Sequence, residues 1–236
     1  MTVLELQRAL DVSPATIRRD LSEMEASGKV IRVRGAVVHP DYFRGEPSLA
    51  QKSRVASAPK KAIAVEAAAL VPAGSKVLVD AGTTCLEVGR LLLQRTDVTL
   101  ITHSLPLAML AHESSASVLL IGGEVRAISG AAVGALAMSW LSNVRADWAF
   151  VGASGLGVAD GASTTELSEA AMKQELLRRA RHRVLVADSK KWESPATLNF
   201  AAWSEFKTWI TDDGLATAAA TAVRKQGPRV VRAAHK

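Results

Sequence analysis

The chain has one cysteine, Cys85, among 236 residues. A lone thiol cannot close an internal disulfide, so no covalent staple holds the fold and nothing calls for an oxidising compartment. No run of about 18 apolar residues is free of charge, which leaves no candidate for a membrane-spanning helix. The amino terminus, MTVLELQRALDV, lacks the basic, apolar and small-residue segments of a signal peptide. A cytoplasmic location without membrane contact is expected. The histidines at 39, 103, 112, 182 and 235 show no metal-ligand spacing with carboxylates or the cysteine, so neither a metal nor another cofactor is expected.

What the chain has in quantity is apolar side chain. Hydrophobic residues make up 48% of it, enough for one large domain and a small second one. The net charge of +6 suits a polyanionic partner but is weak by itself. Its distribution says more. Residues 26–40 hold Lys29, Arg32 and Arg34 with no acid, and residues 216–236 hold Arg224, Lys225, Arg229, Arg232 and Lys236 with no acid. The second stretch is rich in Ala and Thr. It is expected to be a disordered basic tail, either merely solvated or touching DNA phosphate.

Near the amino terminus, Ser13 suits a helix N-cap and Pro14 the first helical position, with Gly28 as a natural stop. Upstream, Val3, Leu6 and Leu10 have helical spacing, so a helix, a tight turn and a second helix are expected. On the second helix Ile17, Leu21 and Met24 form one apolar stripe. Ala15, Arg19 and Ser22 lie opposite, flanked by Thr16 and Arg18. That layout fits a recognition helix in the major groove, where Arg bridges guanine and hydroxyls take phosphates or base edges. The wheel alone fits an ordinary amphipathic helix with solvated arginines equally well. The following Lys29–Val38 stretch reads as a short basic hairpin, a wing whose Arg32 and Arg34 meet phosphate or the minor groove.

From about residue 60, strand-like runs at 76–80, 98–102, 118–121, 148–152 and 183–188 alternate with helical segments at 62–71, 85–93, 105–112, 131–141 and 168–180. The order indicates an α/β domain with a largely parallel sheet, whose ligands bind at the carboxyl ends of strands. Those ends are polar and glycine-rich: Asp80-Ala81-Gly82-Thr83-Thr84, Thr102-His103-Ser104, Gly122-Gly123-Glu124-Val125-Arg126 and Asp188-Ser189-Lys190. Gly82 lets a ligand approach the backbone, and the helix N-terminus behind it offers N–H groups to a phosphate. One such turn fits simple capping as well, but capping explains four converging polar ends poorly. Lys173 and Lys190 are candidate phosphate or hydroxyl partners, or surface ion pairs. Cys85 reads as a small packing residue or as a thiol of lowered pKa at a helix start. The tryptophans read as core or subunit contacts.

The string Val12-Ser13-Pro14-Ala15-Thr16-Ile17-Arg18-Arg19-Asp20-Leu21, with Glu25, Gly28, Arg32 and Gly35-Ala36, resembles the winged helix-turn-helix signature of DeoR-family regulators. The stretch from Lys60 to Gly214 resembles the DeoR sensor throughout, through the strand-end motifs above, Asp147–Gly155, Glu169–Lys173 and Ala187–Lys190. Two departures are visible: Val33-Arg34 stands where the family often has His-Gly, and His103 where it commonly has Asn. The family carries a further helix ahead of this region, so a truncated or mis-assigned start and weak DNA binding are expected.

The resemblance implies a partial winged helix-turn-helix domain at 1–39, a linker at 40–58, and a sugar-phosphate sensor at 59–215 with the fold of ribose-5-phosphate isomerase and glucosamine-6-phosphate deaminase. The basic tail would be 216–236. It implies a homo-oligomeric repressor of a sugar or sugar-alcohol operon, binding double-stranded operator DNA through Ser13, Ala15, Thr16, Arg18, Arg19, Arg32 and Arg34. A phosphorylated sugar would bind at Asp80, Gly82, Thr83, Thr84, Thr102, His103, Ser104, Gly122, Gly123, Glu124, Lys173 and Lys190. The isomerases' acidic Asp-Gly-Ala-Asp-Glu stretch is here Val151-Gly152-Ala153-Ser154-Gly155, which has no titratable group to move a proton. Catalysis is therefore not expected, and no catalytic residue is assigned; an isomerase-like enzyme is the alternative.

Overall fold

The computed structural model describes residues 12–27, 29–33, 36–38 and 46–234, with the backbone alone at 31–33 and 36–38. The chain divides into two compact units, Met1–Ser57 and Ala58–Lys236.

In the first unit, α1 spans Pro14–Ala26 with Ser13 as its N-cap. Ile17 and Leu21 are buried against Val12 and Val30, while Met24 is 37% exposed. The buried apolar stripe is therefore two residues long among the described residues. Strands β1 (Ile31–Val33) and β2 (Ala36–Val38) pair antiparallel, Arg32 opposite Val37. The expected linker is not featureless. Leu49–Arg54 form a short helix, α2, held by a capping box in which Ser48 and Gln51 bond each other's backbone N–H. Six residues are too few to show periodicity, but the Ser-x-x-Gln signal was there to be read. Tyr42, Phe43 and Pro40 lie outside the described residues.

The second unit is built on a seven-stranded parallel sheet in the order β14-β13-β11-β8-β3-β4-β5. Its strands are β3 (Lys76–Val79), β4 (Thr99–Thr102), β5 (Ser117–Leu120), β8 (Ala146–Val151), β11 (Ala180–Val186), β13 (Thr208–Asp212) and β14 (Arg229–Ala233). The chain starts at β3, moves outward to β5, then returns to the other side of β3 and moves outward again. Alternation along each strand feeds two cores. Val77, Val79, Leu100, Phe150, Val184 and Val186 face α3 (Ser57–Ala69), α4 (Thr83–Leu92) and α5 (Leu105–Leu110). Leu78, Ile101, Ala149, Val151 and Leu185 face α6 (Gly134–Leu141), α7 (Leu167–Arg179) and α8 (Thr217–Arg224). Both faces are covered over the central strands, as continuous apolar strands require, while Leu119 and Leu120 on the edge strand β5 are exposed. Two antiparallel additions follow strand ends: the β6–β7 hairpin (Glu124–Arg126 and Ala131–Val133) after β5, and the sheet β12-β10-β9 (Leu198–Ala201, Gly161–Thr164, Gly155–Gly157), whose β9 and β10 follow β8 and whose β12 follows β11.

Two readings need correction. Residues 131–133 are strand β7, not the first turn of a helix; they are fully apolar and pair with β6. Residues 216–234 are not a disordered tail. They form α8 and the edge strand β14, burying Ala219, Ala220, Val223, Val230 and Ala233. The basic residues that suggested a solvated tail, Arg224, Lys225, Arg229 and Arg232, occupy only the outward positions. Composition alone cannot see that alternation.

Candidate functional site

The reader unit fixes its helix start tightly. Ser13 Oγ accepts the Thr16 N–H (3.2 Å) and meets Thr16 Oγ1 at 2.9 Å, so both hydroxyls serve the cap. Ala15, Arg19 and Ser22 are exposed on the face opposite Ile17 and Leu21, and Arg18 is exposed on its flank. Arg19 and Glu23 lie 3.5 Å apart in open solvent, a contact that binds neither firmly. Arg32 stands on β1, but its side chain and the whole of Arg34 lie outside the described residues.

In the second unit the chain reverses direction between β3 and β8, the place where a doubly wound sheet opens a crevice at its carboxyl end. Asp80 follows β3 there and is 1% exposed. One carboxylate oxygen takes the Gly152 N–H (2.9 Å) and the Lys173 ammonium (2.5 Å). The other lies 3.0 Å from His103 Nε2. Lys173, on α7, also donates to Gly152 O (3.2 Å) and sits 5.7 Å from the centre of the Phe200 ring. His103 is fixed from behind, with Nδ1 2.9 Å from Ala132 O and Nε2 3.1 Å from the Ala81 nitrogen.

Burial opposes charge on both Asp80 and Lys173, but each outweighs that penalty for the other. Burial pushes the Asp80 carboxyl up, and Lys173 with His103 more than reverses it, leaving it below the usual range. Burial pushes Lys173 down, and Asp80 with Glu169 brings it above its ordinary value. Both groups are thus driven away from neutrality, the wrong direction for an acid or base that must exchange protons near pH 7. The arrangement is suited to holding charge and hydrogen bonds in place. Cys85 is buried beneath it, and burial pushes its thiol well above the ordinary value, so the reading of an activated thiol is withdrawn.

Beside Asp80, Gly82 has φ +121° and begins α4 with no side-chain cap. Only glycine adopts that backbone without strain. The Thr83 and Thr84 hydroxyls have no hydrogen-bond partner among the described residues, although both side chains are buried. Other predicted residues are differently employed. Thr102 Oγ1 donates to Val79 O (2.7 Å) and accepts the Ser104 N–H, and Ser104 caps α5. These two shape the loop and leave His103 as the inward-facing group. Gly123 packs so closely on Val133 O that no side chain fits, which is a structural need. Gly122 and Glu124 are exposed, and Lys190 is exposed on the short turn after β11. The structure therefore gathers Asp80, His103 and Lys173, with Gly82–Thr84 adjoining them in sequence.

Sequence reasoning missed the outer part of this network. Arg126, on β6, donates through Nη1 to Glu169 Oε1 (3.0 Å), and its Nε lies 3.9 Å from Glu166 Oε2. Glu169 precedes Lys173 by four residues, one turn of the same helical face. That spacing was legible; the partner across the hairpin was not.

Family models match almost the whole chain. One for the DeoR-like helix-turn-helix domain covers residues 1–42, and one for the DeoR C-terminal sensor domain covers residues 55–213. The chain is 36% identical to the HTH-type transcriptional regulator YgbI of Escherichia coli K12, over 96% of this chain and 89% of that one. It is 29% identical to the glycerol-3-phosphate regulon repressor of the same organism, over 88% and 82%. Among solved structures it is similar to ribose 5-phosphate isomerase A of Methanocaldococcus jannaschii, with a TM-score of 0.43 and 20% identity over 56% of this chain and 53% of that one. Those curated relatives are transcriptional regulators, not enzymes. The chain belongs to the DeoR family of DNA-binding transcriptional regulators, a helix-turn-helix reader joined to a DeoR-type sensor domain.

Proposed function

We propose that this regulator is a repressor of a sugar or sugar-alcohol operon, and that a phosphorylated sugar bound to the second unit controls its affinity for operator DNA. The observation that carries the reading is the buried Asp80–His103–Lys173 cluster at the sheet's reversal point, next to an uncapped helix start with two unpartnered threonine hydroxyls. A helix N-terminus with free N–H groups suits a phosphate. A carboxylate, an ammonium and an imidazole suit the hydroxyls of a sugar. A relative named for the glycerol-3-phosphate regulon supports a phosphate ester as effector class. The exposed face of α1, with Ala15, Arg18 and Arg19, is the proposed major-groove surface, and Arg32 and Arg34 the proposed wing contacts.

Control follows from linkage. The effector shifts DNA affinity only by the ratio of its affinities for the two states of the sensor. A reader of this size touches few base pairs, so several subunits acting together are part of the proposal. The test is binding of the protein to its own upstream DNA at two salt concentrations, with and without a set of sugar phosphates. Specific binding that weakens with salt and is released by one sugar phosphate is the expected result. Specific binding that no phosphate ester alters would remove the effector half of the reading.

A further inference from the structure

Arg126 lies outside every residue so far assigned to the effector, yet it closes a ring around the buried cluster. From Asp80 the contacts run to Lys173, along α7 to Glu169, and across to Arg126 on the β6–β7 hairpin. They return from the hairpin to Asp80, because Ala132 and His103 exchange bonds: the Ala132 N–H donates to His103 O (2.8 Å), and His103 Nδ1 faces Ala132 O (2.9 Å). The Leu105 N–H donates to Gly130 O at 2.9 Å. The hairpin is thus tied at its inner strand to the loop that holds Asp80, and at its outer strand to the helix that carries Lys173.

Three observations mark the outer tie as one that can open. Arg126 is 21% exposed at its side chain, whereas Lys173 is 7% and Asp80 1% exposed, so solvent and solutes reach the guanidinium first. Glu166 does not depend on it, since its carboxylate already accepts the Glu169 N–H (2.9 Å) and the Ser168 hydroxyl (3.2 Å). The turn that follows Arg126 also holds Ser129, whose buried hydroxyl has no partner among the described residues. A buried hydroxyl left unpaired costs free energy, so the turn of the hairpin is held less firmly than its strands.

We propose that Arg126 is the residue that reads the anionic group of the effector, and that it does so by leaving Glu169 and Glu166, which unlatches the β6–β7 hairpin. A phosphate presents three strong acceptor oxygens to the guanidinium fork and competes with the Glu169 and Glu166 carboxylates for it. Release of Arg126 changes the setting of Glu169 beside Lys173, and movement of the hairpin shifts Ala132 behind His103. Both ends of the ring therefore report to Asp80. The inference deepens the proposed sensor function and rests on it for the identity of the ligand, but the latch stands on the contacts alone.

The test uses the full chain and three variants, Arg126→Gln, Arg126→Lys and Glu169→Gln. Hydrogen exchange of residues 124–133 is measured without ligand, and release from operator DNA is titrated with glycerol 3-phosphate, ribose 5-phosphate and inorganic phosphate. Arg126→Gln and Glu169→Gln are expected to speed hairpin exchange about tenfold or more, with the rest of the sheet unchanged. Arg126→Gln is expected to raise the releasing concentration of the active ester by a similar factor, and Arg126→Lys to restore part of it. Unchanged hairpin exchange in both latch variants overturns the latch. Release of Arg126→Gln at the wild-type concentration overturns the anion-reading role and leaves the sensor reading intact. If no phosphate ester releases the wild-type protein, the sensor reading and the anion-reading role fall together, while the exchange result still decides the latch.

Discussion

Lys173→Met tests the electrostatic account of the sensor most directly. The substitution keeps the length of an unbranched chain and removes its charge, so Asp80 is left as a buried carboxylate held by the Gly152 N–H and His103 alone. Breaking a buried, hydrogen-bonded ion pair from one side costs about 3–5 kcal/mol, because the surviving charge has lost its compensation. For a domain of this size each kcal/mol corresponds to about 2–4 °C, so a fall in melting temperature of roughly 6–20 °C is expected. Asp80→Asn is expected to cost less, since Glu169 remains near the stranded ammonium. The double variant Asp80→Asn/Lys173→Met is expected to be more stable than the sum of the single losses predicts, by about 1–3 kcal/mol, because neither charge is then left alone. Urea unfolding of the four proteins at pH 7, followed by tryptophan fluorescence, gives the cycle. A Lys173→Met protein within about 1 kcal/mol of wild type, or strict additivity in the cycle, would falsify the paired, charged description.

Further outcomes follow from the same contacts. The Asp80 carboxyl is held below its unfolded value of about 3.9, so its contribution is complete above that pH and is lost as pH falls through the lower folded value; Lys173, held above about 10.4, contributes fully below that pH and loses it as pH rises through the higher folded value. Melting curves from pH 2 to pH 11 are expected to show both limbs in wild type and a reduced acid limb in Asp80→Asn. Ending the chain after Leu215 removes α8 and β14 and uncovers one edge of the sheet; Val223 and Val230 alone account for roughly 3–6 kcal/mol of burial, so the shortened protein is expected to be insoluble or to melt far below wild type. Arg18→Ala and Arg19→Ala leave an exposed helix face and are expected to melt within about 0.5 kcal/mol of wild type while weakening operator binding by about 1–3 kcal/mol wherever the arginine reads a base. Equal operator affinity in both variants would move the DNA surface off this face of α1.

The sequence by itself determined the reader helix, the parallel α/β plan and most of the strand ends. Each is written in local signals: Ser13-Pro14 at a helix start, apolar runs of strand length between amphipathic segments, and Gly-Thr-Thr after the first strand. It also brought Asp80 and His103 together, because the polar ends of parallel strands converge whatever the details of packing, whereas Lys173, on α7, was a candidate by its chemistry and the resemblance alone. Where it failed, the deciding contacts were long-range or the segments short. Residues 216–234 read as a tail because a basic, Ala-rich composition hides the inward positions that pair with β13. The strand 131–133 read as helix because three small apolar residues fit either period until β6 pairs with them. The hydroxyls of Thr102 and Ser104 meet Val79 O and the Leu107 N–H, contacts that a hydroxyl at a strand end does not reveal in the sequence. The ring from Arg126 through Glu169 to Lys173 and back through Ala132 joins residues far apart in the chain, and side chains that meet only after the sheet has formed leave no period in the sequence. Local chemistry thus named the candidate groups, and tertiary packing decided which of them are buried together and paired.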